Sequence, residues 1–231
     1  MSELWEVVTA GLPPLDLTAS LVTAALALLL TWSPTGYRLV RHAVTIVHEA
    51  GHATVALLTG RRLQGIRLHA DTSGVTVSRG RPRGPGMVAT VASGYPAPAL
   101  LGLAGALVLT QGYAVALLWG FVLLCAVMLV LIRNLYGLWV LLVVGGVVGA
   151  ATWSLPAQTS GWTASVLVWA LLLAAPRSVV ELQRQRRGRG DPGSDADQLA
   201  RLTGVPAVGW VAVFWGVCVA CLGAAGWLLL R

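Results

Sequence analysis

The chain has 231 residues, 56% of them hydrophobic and 11% charged, with a mean hydropathy of +0.75. That balance excludes an ordinary soluble domain, and the length suits one compact helical bundle in a membrane, with no room for a large soluble domain beside it. The net charge is +7 and every basic residue other than histidine is arginine. Because the arginines cluster between apolar runs, they read as topology and contact with anionic lipid, and no nucleic-acid partner is expected.

Taken in chain order, the N-terminus carries Glu3 and Glu6 without an early arginine, so it lacks the basic region of a cleavable signal peptide. Residues 16–32 form a first apolar span, broken by Ser33-Pro34-Thr35-Gly36. A second helix is expected to begin near Tyr37 to Arg41 and to run to Gly60, where a helix-ending glycine meets Arg61-Arg62. Residues 61–86 hold six arginines against Asp71 alone, and Ile66 to His69 and Val75 to Ser78 alternate about Asp71-Thr72-Ser73-Gly74, which predicts a β-hairpin. A third span, 87–110, opens on Gly94-Tyr95-Pro96-Ala97-Pro98, whose prolines predict a kinked or late-starting helix. Further spans are expected over 113–132, 138–155 and 163–175, then a polar, arginine-rich insert over 177–204 and a last span over 205–230.

The expected fold is therefore an all-α polytopic membrane protein of six to seven spans, with a small β-hairpin after the second helix. It forms a single domain with its core at about 37–145. The arginine-rich stretches 61–86, 133–137 and 177–204 fall on one side of alternating spans, and the positive-inside rule makes that side cytoplasmic.

Within the second helix stands His48-Glu49-Ala50-Gly51-His52, the H-E-x-x-H zinc signature. Residues four apart lie one above the other on a helix face, so His48 and His52 can offer ring nitrogens to one Zn²⁺. Glu49, beside the first ligand, is placed to act as general base for hydrolysis. Paired core histidines with a buried glutamate would be the bland alternative, but an ionisable residue inside a span is costly and points to function. His52 precedes Arg61-Arg62 by roughly 12 Å of helix, which puts the metal below the cytoplasmic surface and inside the bilayer. Cys218-x-x-Cys221 reads as apolar filler in a buried helix, and the ten tryptophans read as interfacial anchors.

In these features the chain resembles the site-2 protease family of intramembrane zinc metalloproteases, in its compact bacterial branch without a PDZ domain. The resemblance rests on His48-Glu49-x-x-His52, the hairpin that follows, Gly94-Tyr95-Pro96 where the family often has Gly-Pro, and Asn134. It implies a multi-pass protein of the cell membrane that cleaves a membrane-protein substrate in or near a span. It also implies substrate-binding roles for Asn134 and for the hairpin, Gly74 included, which would pair with an unwound substrate segment.

One departure stands out. The family's Asn-x-x-Pro is followed by Asp-Gly, whose Asp is the third ligand, whereas Asn134-Leu135-Tyr136-Gly137 runs on without an acid. A catalytic zinc normally has three protein ligands, so another residue must supply the third. Asp195 heads the candidates and Asp197 follows, both at the start of a short amphipathic helix after a glycine-rich stretch over 188–193. Asp71, His69, His42 and Glu181 remain alternatives, and Ser194-Asp195 also suits a helix cap. The rival function is a degenerate, non-catalytic metal-binding scaffold, which the missing Asp-Gly favours and the retained Glu49 opposes. A transporter is a weaker third reading, without an internal repeat to support it.

Overall fold

The computed structural model describes residues 11–189 and 193–231, so the acidic N-terminus and part of the 188–193 stretch lie outside the described residues. The helices run α1 Leu17–Trp32, α2 Pro34–Leu58, α3 Pro85–Ala92, α4 Pro96–Thr110, α5 Ala114–Leu131, α6 Leu135–Ser154, α7 Ala157–Arg189, α8 Asp195–Thr203 and α9 Ala207–Leu229, with strands β1 Arg62–Leu68 and β2 Gly74–Arg79 after α2. Helices α5, α6, α7 and α9 are each long and apolar enough to cross a membrane. The pairs α1 with α2 and α3 with α4 qualify only as bent spans, at 100° and 66°, giving up to six. This is an all-α polytopic membrane protein, and the described residues hold four to six candidate spans, against the six to seven expected.

The expected break at Ser33-Pro34 is a corner. Ser33 closes α1 with its N–H on the Leu29 carbonyl and opens α2 by accepting from Gly36 N at 3.1 Å, while Pro34 takes the first turn, where a missing N–H costs nothing. The second helix therefore starts at Pro34, ahead of the expected Tyr37 to Arg41. It ends at Leu58, and Gly60, at φ +73°, makes the left-handed exit. The prolines of 94–98 produce the expected kink, between α3 and α4.

A larger correction concerns residues 157–189. Hydropathy alone stopped the sixth span at Ala175 and treated 177 onward as an insert, yet α7 continues unbroken through Pro176 to Arg189. The segment beyond the proline is rich in Arg and Gln, both good helix formers, and tertiary ties hold it. Arg177 donates to the Thr31 carbonyl at the end of α1, its guanidinium lies 3.7 Å over the Tyr37 ring, and Glu181 pairs with Arg41 of α2 at 3.0 Å. Tyr37 adds a hydrogen bond to Glu181 at 3.1 Å. The polar half of α7 thus braces the α1–α2 corner.

Strands β1 and β2 pair antiparallel from Arg62↔Arg79 to Leu68↔Gly74, with an irregularity between Leu63 and Gly65 where Gly65 sits at φ +150°. Ile66 and Leu68 bury into a cluster with Val44, Val47, Met128 and Leu141. The hairpin turn is built by Asp71, whose carboxylate accepts from Ser73 N at 2.9 Å and Ser73 Oγ at 2.6 Å; those bonds also lower its pKa. Thr45 of α2 donates to the Thr72 carbonyl at 2.7 Å, fastening the turn to the helix. A second apolar cluster, formed by α4, α5, α7 and α9 around Leu118, Val168, Leu172 and Phe214, fills the other side of the bundle.

Candidate metal centre

The residues His48 to His52 occupy two full neighbours at once. On an α-helix Glu49 stands about 100° from His48, so the imidazoles and the carboxylate face different elements. Thr45 and Glu49 face the hairpin; His48 and His52 face α8 and the kink between α3 and α4.

On the first face, Glu49 is buried, with 2% exposure, and its Oε2 accepts from Thr76 Oγ of β2 at 2.5 Å. The glycine at the start of β2 makes this fit possible. A Cβ on Gly74 would lie 2.6 Å from Cγ and 2.7 Å from Cδ of Glu49, and closer still to Oε1. Thr76 was not singled out from the sequence; its signal was the strand alternation, which sets it on the face opposite Val75 and Val77.

On the second face, His48 Nε2 and His52 Nε2 are 3.0 Å apart, and Asp195 Oδ2 of α8 stands 3.3 Å and 3.2 Å from them. One donor atom from each of the three residues lies within 4.8 Å of the others, and among the described residues this is the group whose geometry suits a metal ion. His52 Nδ1 donates to the Thr90 carbonyl of α3 at 2.7 Å; a carbonyl can only accept, so Nδ1 carries the proton and Nε2 presents its lone pair. Asp195 Oδ2 is buried with no hydrogen-bond partner in proper geometry, although two imidazole nitrogens converge on it.

That orphaned oxygen tests whether the group fits zinc. A tetrahedral shell with donors at about 2.0–2.1 Å from the ion sets neighbouring donors roughly 3.3 Å apart, and the three observed separations of 3.0, 3.2 and 3.3 Å come close to it. Two imidazoles and one carboxylate are also an ordinary catalytic-zinc donor set. The residues fit the ion, and Glu49 stays outside the donor group.

Gly94 forms the floor. A Cβ there would fall 2.6 Å from His48 Cε1 and 2.5 Å from His52 Cε1. Tyr95 next to it stands edge-on to His48, with centroids 4.8 Å apart, and stacks on Phe214 of α9 at 5.3 Å. The Gly94-Tyr95-Pro96 kink therefore lets the backbone pass beneath both rings before α4 begins.

The other candidates have different surroundings. Asp197 accepts two hydrogen bonds from Arg186, at 2.9 and 2.8 Å, which lower its pKa. Asp71 holds the hairpin turn, His69 contacts Ser73 Oγ at 3.3 Å, His42 contacts Tyr136 Oη at 3.0 Å, and Glu181 is engaged by Arg41. Asn134, N-cap residue of α6, makes no side-chain cap. Its amide brackets Leu68 of β1 instead, donating to the carbonyl at 2.7 Å and accepting from the N–H at 3.2 Å, while Arg133 N bonds the Ile66 carbonyl. Cys218 and Cys221 are buried free thiols.

Fold and site together define a polytopic helical membrane protein with a His-His-Asp group beside a buried glutamate. Residues 21–225 match the family model of Peptidase M50B-like proteins, and the chain belongs to that family. The resemblance to site-2 proteases is thereby upheld, and the family supports a membrane metalloprotease-like function. No curated protein and no solved structure gives a significant match to the chain.

Proposed function

We propose that the protein is a zinc-dependent intramembrane endopeptidase that hydrolyses a peptide bond in or near a transmembrane segment of another protein. The observation that carries this reading is the meeting of His48 and His52 with Asp195, 143 to 147 residues further along the chain, with Glu49 held one residue along from the first histidine. In this reading those three residues hold Zn²⁺, which when bound supplies the Lewis acid that polarises the scissile carbonyl and acidifies the attacking water. Glu49 takes the water's proton and returns it to the leaving amine. Thr76 and the Gly74 backbone fix the carboxylate's direction, and Thr90 fixes the tautomer of His52.

The substrate is a membrane protein whose helix must unwind locally before its backbone can be reached. Strand β2 pairs with β1 on one side, and among the described residues no strand covers its other side. An unwound substrate segment added there would gain backbone hydrogen bonds that it loses on leaving its helix. The arginine-rich end that carries the hairpin faces the cytoplasm of a bacterial cell in this reading. The scaffold alternative drew its support from a missing third acid, and Asp195 at the histidine pair takes that support away.

The test is Glu49→Gln, assayed on a membrane-embedded substrate with bound zinc measured in parallel. Hydrolysis is expected to fall by about 10²- to 10⁴-fold, the usual weight of a positioned general base, with zinc content unchanged. Turnover at the wild-type rate would sink the peptidase reading.

A further inference from the structure

Helix α8 is nine residues long and brings Asp195 to the metal centre from outside the spanning helices. A helix of that length is not stable by itself in water, so its place depends on what it touches. Three things hold it. Ser194 caps it, accepting from Asp197 N; Ala196 and Leu199 are fully buried, with α8 packed against α3 and α9; and Arg186, near the end of α7, grips Asp197.

The grip has specific geometry. Arg186 Nε lies 2.9 Å from Asp197 Oδ2 and Nη2 lies 2.8 Å from Oδ1, a two-pronged pairing that fixes angle as well as distance. Ser194 Oγ also donates to Asp197, and Gln183 Oε1 accepts from Arg186 Nη1 at 3.0 Å, which holds the guanidinium from behind. Residues two apart on a helix point roughly 200° away from one another. Asp197 therefore reaches back to α7 while Asp195 reaches to His48 and His52, and turning α8 to loosen one carboxylate displaces the other.

We propose that α8 is a metal-coupled latch, in which Arg186 and Asp197 act as positioning residues that hold the Asp195 carboxylate at the histidine pair. The proposal rests on the reading of Asp195 as third ligand. It gives the second acid of Ser194-Asp195-Ala196-Asp197 a mechanical role and makes the α7 extension part of the metal centre. It also requires reciprocity: if a docked α8 tightens zinc binding, zinc must hold α8 in place by the same factor.

The test uses the purified full chain in lipid nanodiscs. Zinc affinity is measured by competition with a chromogenic chelator for wild type, Asp195→Ala, Arg186→Gln, Arg186→Lys, Asp197→Asn and the Arg186→Gln/Asp197→Asn double variant. Arg186→Gln and Asp197→Asn are each expected to weaken zinc by about 10- to 100-fold, the range for residues that orient a ligand. Arg186→Lys keeps the charge without the two-pronged geometry and should fall between wild type and Gln. The double variant should bind no worse than either single one, because both remove the same contact. Wild-type affinity in Arg186→Gln and Asp197→Asn alongside zinc loss in Asp195→Ala would overturn the latch while leaving the third ligand intact. Wild-type affinity in Asp195→Ala would overturn the ligand reading itself. A measurement on unmutated protein guards against misfolded variants: amide hydrogen exchange over 195–203 should quicken when zinc is stripped, whereas equal protection with and without zinc would refute the coupling.

Discussion

The turn of α2 that carries His48 and His52 and the helix α8 that carries Asp195 supply donors to one group by opposite means. The histidines share a helical face four residues apart, so local helix geometry brings their Nε2 atoms within 3.0 Å of one another. Asp195 has no such local guarantee. It reaches them through the packing of α8 and the Arg186–Asp197 pairing, and ends 3.2 and 3.3 Å away. A two-donor half-site can thus be written into five consecutive residues, while completing it takes much of the bundle.

Removing donors one at a time puts that contrast to work. His52→Ala is expected to cause the largest loss of zinc, because it deletes a ligand and also leaves the buried Thr90 carbonyl without the imidazole that bonds it at 2.7 Å. Asp195→Ala should follow, with Asp71→Ala close to wild type in zinc content because that carboxylate serves the hairpin turn. Bound zinc in the three purified variants checks the order. If Asp195→Ala retained more zinc than Asp71→Ala, the third donor would have to be sought in the hairpin.

Two glycines distinguish the histidine pair from Glu49. Gly94→Ala drives a methyl against both imidazoles, Gly74→Ala against Glu49 alone. Overpacking of this kind costs about 1–3 kcal/mol, or roughly 5- to 150-fold. Gly94→Ala should therefore lower zinc affinity and activity together, and Gly74→Ala should lower activity with zinc retained. Parallel metal titration and peptidase assays distinguish them; equal loss of zinc in both would mean that the two faces of α2 do not act separately.

The same division explains what could be read from the chain. The pairing of His48 with His52 on one helical face, the hairpin alternation about Asp71 to Gly74, the left-handed Gly60 and the kink at Gly94-Tyr95-Pro96 are short-range patterns, and each takes the expected form. The sequence puts Asp195 ahead of Asp197 on one short helix, but the packing that turns Asp195 to the histidines is not written there. That depends on Arg186, eleven residues before Asp197, and on how α7 ends. The course of α7 departs from the hydropathy pattern, because hydropathy marks where apolar side chains stop, whereas the helix continues on propensity and on Arg177 and Glu181 at i,i+4 spacing. Thr76 was out of reach for a related reason: its partner Glu49 is 27 residues away, across the α2–hairpin junction.

Thr76 gives the smallest and most discriminating test. Its hydroxyl donates to Glu49 Oε2 at 2.5 Å, and a hydrogen bond to a charged acceptor contributes about 1.5–3 kcal/mol. Thr76→Val keeps the β-branched shape that suits a strand and removes only the donor. If the bond serves to aim the base, kcat should fall by about tenfold, the lower end of that range because α2 still carries Glu49, with KM and zinc affinity near wild type, because the hairpin still pairs and the imidazoles are untouched. Thr76→Ser restores the hydroxyl and should recover most of the rate. A rise in KM at constant kcat, unrelieved in Thr76→Ser, would instead mean that Thr76 supports the strand and that Glu49 needs no help from it. The base would then be set by α2 alone, and the hairpin would have no part in aiming it.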